Sequence, residues 1–120
     1  MNKILIVDDE PNIVMSLEYA FKKKGFEVFI ARDGEEAIQL VNEVIPDLIL
    51  LDIMMPKVDG YEVLDFVNQH QNRNDIKVIF MSAKNKLKDI EKGLSLGALD
   101  YITKPFSVKK VTEKIEILLK

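Results

Sequence analysis

The sequence predicts an α/β protein: a doubly wound, five-stranded parallel sheet with helices on both faces. Three observations carry that prediction. Five short apolar runs recur along the 120 residues. Between them, apolar residues fall at helical spacings of three and four. The runs themselves are apolar at nearly every position, as in strands covered on both faces, rather than alternating.

Each element has its own signal. The first strand is read at residues 3–7, and the acidic triplet Asp8, Asp9, Glu10 closes it. Pro11 opens a helix, as proline does at a first helical position, with Ile13, Leu17, Ala20 and Phe21 as its apolar stripe. Gly25 ends it, and residues 26–31 form the second strand. Asp33-Gly34 opens a second helix striped by Ala37, Ile38, Val41 and Ile45, before a third strand at residues 47–51. Asp59-Gly60 opens a third helix with Val63, Leu64 and Val67 on one side. A polar stretch, residues 68–75, is long enough for a helix end and a loop; its single His70 reads as solvated. The fourth strand is residues 76–81, and Leu87, Ile90 and Leu94 stripe the helix after it. Gly97 follows that helix, residues 99–103 form the last strand, and Val108, Val111, Ile115 and Leu118 stripe the last helix. Alternation of this kind implies right-handed crossovers. For five strands the expected order is 2-1-3-4-5, the flavodoxin-like arrangement.

Composition sets outer limits. A chain of 120 residues with 48% apolar content fits one domain, residues 1–120, with a core of its own. It has no Cys, which excludes disulfides and thiolate zinc. A net charge of −3 argues against direct nucleic-acid binding. No wholly apolar run exceeds four residues, against about 20 for a membrane span. The N-terminus lacks the longer apolar stretch of a signal peptide, so a cytoplasmic protein without membrane contact is expected.

In an open parallel sheet, ligands bind beyond the carboxyl ends of the strands, near the point where strand order reverses. The residues there are Asp8, Asp9 and Glu10 after the first strand, Arg32-Asp33 at the end of the second, Asp52 after the third, Ser82 after the fourth, and Lys104-Pro105 after the fifth. Helix capping explains any one Asp or Ser as well as chemistry does. It does not explain the doubled Asp, an Asp52 set well ahead of the next helix, or a lysine. Three converging carboxylates repel one another unless a cation lies between them. All-oxygen donors without His or Cys point to Mg²⁺, with Mn²⁺ as the alternative. An Asp can also act as a nucleophile and form an aspartyl phosphate. Lys104 and Ser82 could then neutralise and hold the phosphoryl oxygens.

The segments ILIVDDE, LILLDIMMPKVDG, IFMSAK and GALDYITKPF, in this order and spacing, resemble the receiver domain of two-component response regulators. The resemblance covers essentially the whole chain. It implies that Asp52 is the phosphoacceptor. Asp9 would be the direct Mg²⁺ ligand, with Asp8 acting mainly through water and Met54 giving a backbone carbonyl. Ser82 would be the switch hydroxyl and Tyr101 the switch aromatic that follows it inward. Lys104 would bind phosphate, and its bond to Pro105 would be cis. Met54 and Lys84 would tune hydrolysis; an apolar Met54 cannot orient water, so a fairly long-lived phosphoryl group is expected.

The implied function is a phosphorylation-dependent signalling switch. A sensor histidine kinase or phosphotransfer protein donates the phosphoryl group, and the face of the fourth helix, fifth strand and fifth helix changes shape to control a partner or output domain. The implied chemistry is self-phosphorylation and autodephosphorylation, with no external metabolic substrate. The C-terminal stretch resembles receivers of winged-helix transcription factors, which implies a homodimer through that face. Leu99 stands where that subfamily often has a second acid, and Lys114 where it often has Arg, so a more apolar contact is expected. The alternatives are a Mg²⁺-dependent aspartyl-phosphate phosphohydrolase and a receiver-like binding module that is not phosphorylated. Against the first, Met54 stands where a second Asp is usual; against the second, Asp9, Asp52 and Lys104 are all present.

Overall fold

The computed structural model describes residues 2–120. The elements alternate as β1 (Lys3–Val7), α1 (Pro11–Lys23), β2 (Glu27–Ala31), α2 (Gly34–Val44), β3 (Leu48–Asp52) and α3 (Gly60–Asn68), followed by β4 (Lys77–Ser82), α4 (Leu87–Ser95), β5 (Asp100–Thr103) and α5 (Val108–Leu118). A 3-10 turn, Arg73–Asp75, precedes β4. The sheet has the order β2-β1-β3-β4-β5, and every neighbouring pair is parallel. The expected fold class is therefore the observed one, with several strand bounds displaced by one residue.

Successive strand residues point to opposite faces, which splits the core in two. Leu5, Val7, Ile49, Leu51, Val78 and Phe80 pack with Ala37 and Val41 of α2 and Val63, Leu64 and Val67 of α3. Ile4, Ile6, Leu48, Leu50, Ile79 and Met81 pack with Leu17 and Phe21 of α1 and Val111 and Ile115 of α5. Edge strand β2 is the least buried of the first four, as an edge requires. Asp33, Asp59 and Ser107 accept from the amides of Glu36, Glu62 and Lys110, so each caps its helix. Gly25 and Gly97 have φ of +91° and +112° just past α1 and α4, a conformation glycine adopts without steric strain.

Two expectations need correction. Leu87 and Leu94 do not line the core: they are 70% and 42% exposed, and Gly93 is the buried residue of α4. The helix is rolled so that the residue without a side chain meets the rings. A Cβ on Gly93 would lie 2.9 Å from Phe80 and 3.1 Å from Tyr101. His70 is half-buried, not freely solvated. Its Nδ1 accepts from the Asn72 amide at 3.0 Å, and its Nε2 lies 3.2 Å from Asn42 Oδ1.

Register decides what meets at the sheet's carboxyl edge. Val7 pairs with Ala31 and Leu51, Asp52 with Met81, and Ser82 with Thr103. Asp8, Asp52, Ser82 and Lys104 therefore leave the sheet at nearly one level.

Candidate functional site at the carboxyl edge of the sheet

Asp8 is fully buried immediately after β1. Its Oδ1 accepts from the Glu10 amide at 2.9 Å, a tight local turn that directs the carboxylate inward. Its Oδ2 accepts from Lys104 Nζ at 2.9 Å. Asp52, the last residue of β3, is also buried; its Oδ1 accepts from the Met54 amide at 3.3 Å. Its Oδ2 lies 3.5 Å from Lys104 Nζ. The chain after Asp52 doubles back closely: the Gly60 amide donates to Ile53 O at 2.9 Å. A Cβ on Gly60 would stand 2.5 Å from Asp52 O, so the start of α3 sits directly on the strand end.

Lys104 is drawn into the rim by its backbone, whose amide donates to Ser82 O at 2.7 Å. The Lys104–Pro105 peptide bond is cis. Ser82 is buried, and its Oγ accepts from the Lys84 amide at 3.1 Å. Tyr101 is buried as well, and its hydroxyl donates to Lys84 O at 2.8 Å. Ser82, the connection after β4 and Tyr101 thus form one hydrogen-bonded chain. Met54 and Lys84 are exposed at the rim.

The electrostatics follow from burial. Loss of hydration pushes the Asp52 carboxyl up from its ordinary 3.8 to about 6. The Asp8 charge adds to that rise, and Lys104 and the Met54 amide oppose it. Burial alone would lower the Lys104 ammonium. The hydrogen bonds it donates to Asp8 and Glu10 and the negative charge of Asp52 outweigh it and hold it above its ordinary 10.5. Burial raises the Tyr101 phenol, against the pull of the Ser82 hydroxyl.

Carboxylate oxygens of Asp8, Glu10 and Asp52 all lie within 4.8 Å of one another. Such a set of hard donors, two of them buried, fits a divalent cation. Its composition differs from the sequence expectation. Asp9 is exposed and outside the group, and its charge is the smallest of the influences that raise the Asp52 carboxyl. Glu10 is the member that the sequence places at the rim but to which sequence reasoning gave no role. Beside Pro11 it reads as an ordinary first-turn acid, and its partner Lys104 lies 94 residues away.

A family model described as response regulator receiver domain matches residues 4–116. The chain is 42% identical over 118 residues to the alkaline phosphatase synthesis transcriptional regulatory protein PhoP of Bacillus subtilis (strain 168), covering 98% of this chain and 48% of that one. Among solved structures it is similar to the receiver domain of the Francisella response regulator 1452, at TM-score 0.90 and 36% identity, covering 98% of this chain and 96% of the other. It is similar also to a chain of the CheX–CheY–BeF3–Mg²⁺ complex from Borrelia burgdorferi, at TM-score 0.89 and 32% identity, covering 99% and 90%. The chain spans about half the length of the curated relatives it matches.

Proposed function

Since the chain belongs to the response regulator receiver domain family, a family of signalling domains, we propose that it is a switch phosphorylated on Asp52. The observation that carries this reading is the burial of Asp52 within 3.5 Å of the Lys104 ammonium, beside a second buried carboxylate. In the reaction, an Asp52 carboxylate oxygen attacks the phosphorus of a phosphohistidine. A P–O bond forms and the P–N bond breaks. The electron pair of the broken bond stays on the imidazole nitrogen, which takes up a proton. Lys104 stabilises the transferred oxygens, and Ser82 turns its hydroxyl toward one of them.

Asp8 and Asp52, whose carboxylates already meet at the rim, would hold Mg²⁺ together with Asp9 and the Met54 carbonyl, which the resemblance adds. Glu10, though within the same group, is paired with Lys104 and is left to that role. When bound, the ion supplies positive charge against the phosphoryl oxygens. The similar Borrelia chain comes from a complex with Mg²⁺ and BeF3, the latter shaped like a phosphoryl group, which supports the pairing of these two ligands here.

The partner is a sensor histidine kinase or phosphotransfer protein, met in the cytoplasm. Among the described residues no helix is long and apolar enough to cross a membrane. Residues 1–120 act as one receiver domain, with no external metabolic substrate. Ser82 and Tyr101 pass the change to the face of α4, β5 and α5. That face controls a partner, a second copy, or an output domain such as the PhoP relative's description, a transcriptional regulatory protein, suggests. Leu99, 50% exposed there, suits an apolar contact, and Lys114 is occupied by an ion pair with Asp100.

The test is incubation with Mg²⁺ and acetyl phosphate, read by intact mass beside Asp52→Asn. One added phosphoryl group is expected in the wild type only, and only with Mg²⁺. No adduct, with the donor rapidly hydrolysed, would instead favour a phosphohydrolase. The phosphoryl group is long-lived, because the Met54 side chain cannot orient water. Met54→Asn should therefore speed its decay, and a slower decay would refute that role.

A further inference from the structure

The Lys104 ammonium has three N–H donors. One goes to Asp8 Oδ2 at 2.9 Å and one to Glu10 Oε1 at 3.1 Å, with Asp52 farther off at 3.5 Å. The two close partners are unequal. Asp8 is fully buried, and taking Lys104 from it would leave a buried carboxylate uncompensated. The Glu10 side chain is 58% exposed, so water can replace the ammonium there at small cost. Glu10 also occupies the N-cap position of α1, yet its side chain makes no capping bond. It turns to Lys104 instead.

We propose that Glu10 is a positioning residue that keeps Lys104 engaged until a phosphoryl group displaces it. This rests on the reading of Asp52 as phosphoacceptor. The third donor faces Asp52, and for the ammonium to move onto a phosphoryl oxygen there one of its two close bonds must lengthen; the one to Glu10 is the easier to free. The Glu10–Lys104 pair opens, Glu10 rehydrates, and Lys104 keeps Asp8 while gripping the new oxygen. Glu10 thereby sets how readily the site accepts a phosphoryl group, without touching the reacting atoms. The energy scale of a half-exposed ion pair limits the effect to about two- to fivefold in rate.

The experiment measures phosphoryl uptake from acetyl phosphate with Mg²⁺, by intact mass, at low and high salt. It compares the wild type, Glu10→Gln, Lys104→Ala, the double variant, and Glu43→Gln as a charge control in the last turn of α2. Glu10→Gln should react about two- to fivefold faster at low salt, with a smaller gain at high salt. Glu43→Gln should match the wild type. Glu10→Gln should change nothing in the Lys104→Ala background. Calorimetric Mg²⁺ affinity of Glu10→Gln should stay near that of the wild type. An unchanged rate in Glu10→Gln would overturn the proposal. So would an equal gain without Lys104, which would indicate general repulsion of the donor, or a collapse of Mg²⁺ affinity, which would make Glu10 a cation ligand. A wild type that takes up no phosphoryl group would instead defeat the phosphoacceptor reading, and this inference with it.

Discussion

Asp52 is placed where its own charge is unwelcome. Well below pH 3.8 the carboxyl is protonated in folded and unfolded chains alike. As pH rises the unfolded chain ionises first, near 3.8, while the folded chain holds its proton to about 6. The folded state therefore binds more protons across that window, and stability falls as pH rises through it. With the cation absent, the loss complete by neutral pH is about 2–3 kcal/mol. Asp52→Asn keeps the shape and removes the charge, so it should stabilise the metal-free protein at pH 7 by about that amount and by little at pH 4. Urea denaturation at both pH values, in chelator, checks this. Equal stability of the two proteins at pH 7 would mean that burial does not penalise this carboxylate. Glu10 shows the opposite limit of single-residue reading. Nothing adjacent in sequence distinguishes it from a helix-start acid, because its role depends on a lysine delivered from the other end of the chain.

At the scale of elements, the strands were legible because both faces of the sheet are buried, so each strand is a nearly unbroken apolar run. Helices α2, α3 and α5 were legible from their stripes, and α2 and α3 also from Asp33 and Asp59, which cap them. Helix α4 was not. Counting leucines selects Leu87 and Leu94, whereas close packing on two aromatic rings selects Gly93. Gly93→Ala sets about 1 kcal/mol of helix propensity against about 1–3 kcal/mol of overpacking. The strain can be relieved by the Tyr101 ring swinging outward, which breaks its bond to Lys84 O. A small net destabilisation is expected, with altered ring shifts of Tyr101 by NMR. Unchanged shifts would show that α4 does not sense the ring. Just past this same C-terminal end, α4 is also held by polar bonds. Arg73 donates to Asn68 Oδ1, Ile76 O and Gly97 O at 2.6, 2.7 and 2.8 Å, and Asn68 donates to Leu96 O at 2.8 Å. Arg73→Ala should lower stability by about 1–2 kcal/mol and speed amide exchange around residues 96–98. Exchange that rises equally everywhere would argue against a local tether.

For the whole molecule, a sheet buried on both faces is what holds the carboxylates together. β1 and β3 lie side by side, Asp8 immediately follows β1 and Asp52 ends β3, and their register brings the two carboxylates level. Hydrophobic burial fixes those strand ends whether or not the charges agree with the arrangement. A domain has only about 5–15 kcal/mol of net stability, so a penalty of a few kcal/mol at one rim is a large fraction of it. A cation that binds the folded rim and not the unfolded chain recovers part of that loss. At a hundred times its dissociation constant the gain is about 2.7 kcal/mol, or roughly 10 °C in Tm for a chain of this size. Mg²⁺ should therefore raise Tm strongly at pH 7.5. Its effect should shrink toward pH 4.5, where Asp52, with a pKa of about 6, has taken up its proton. It should shrink also in Asp52→Asn. Thermal melts across pH, with Mg²⁺ or with chelator, separate a bound ion from general screening, because added Na⁺ at equal ionic strength should not reproduce the shift. A Tm indifferent to Mg²⁺ at pH 7.5 would mean that Lys104 alone suffices to neutralise the rim, and that the fold tolerates the remaining repulsion unaided.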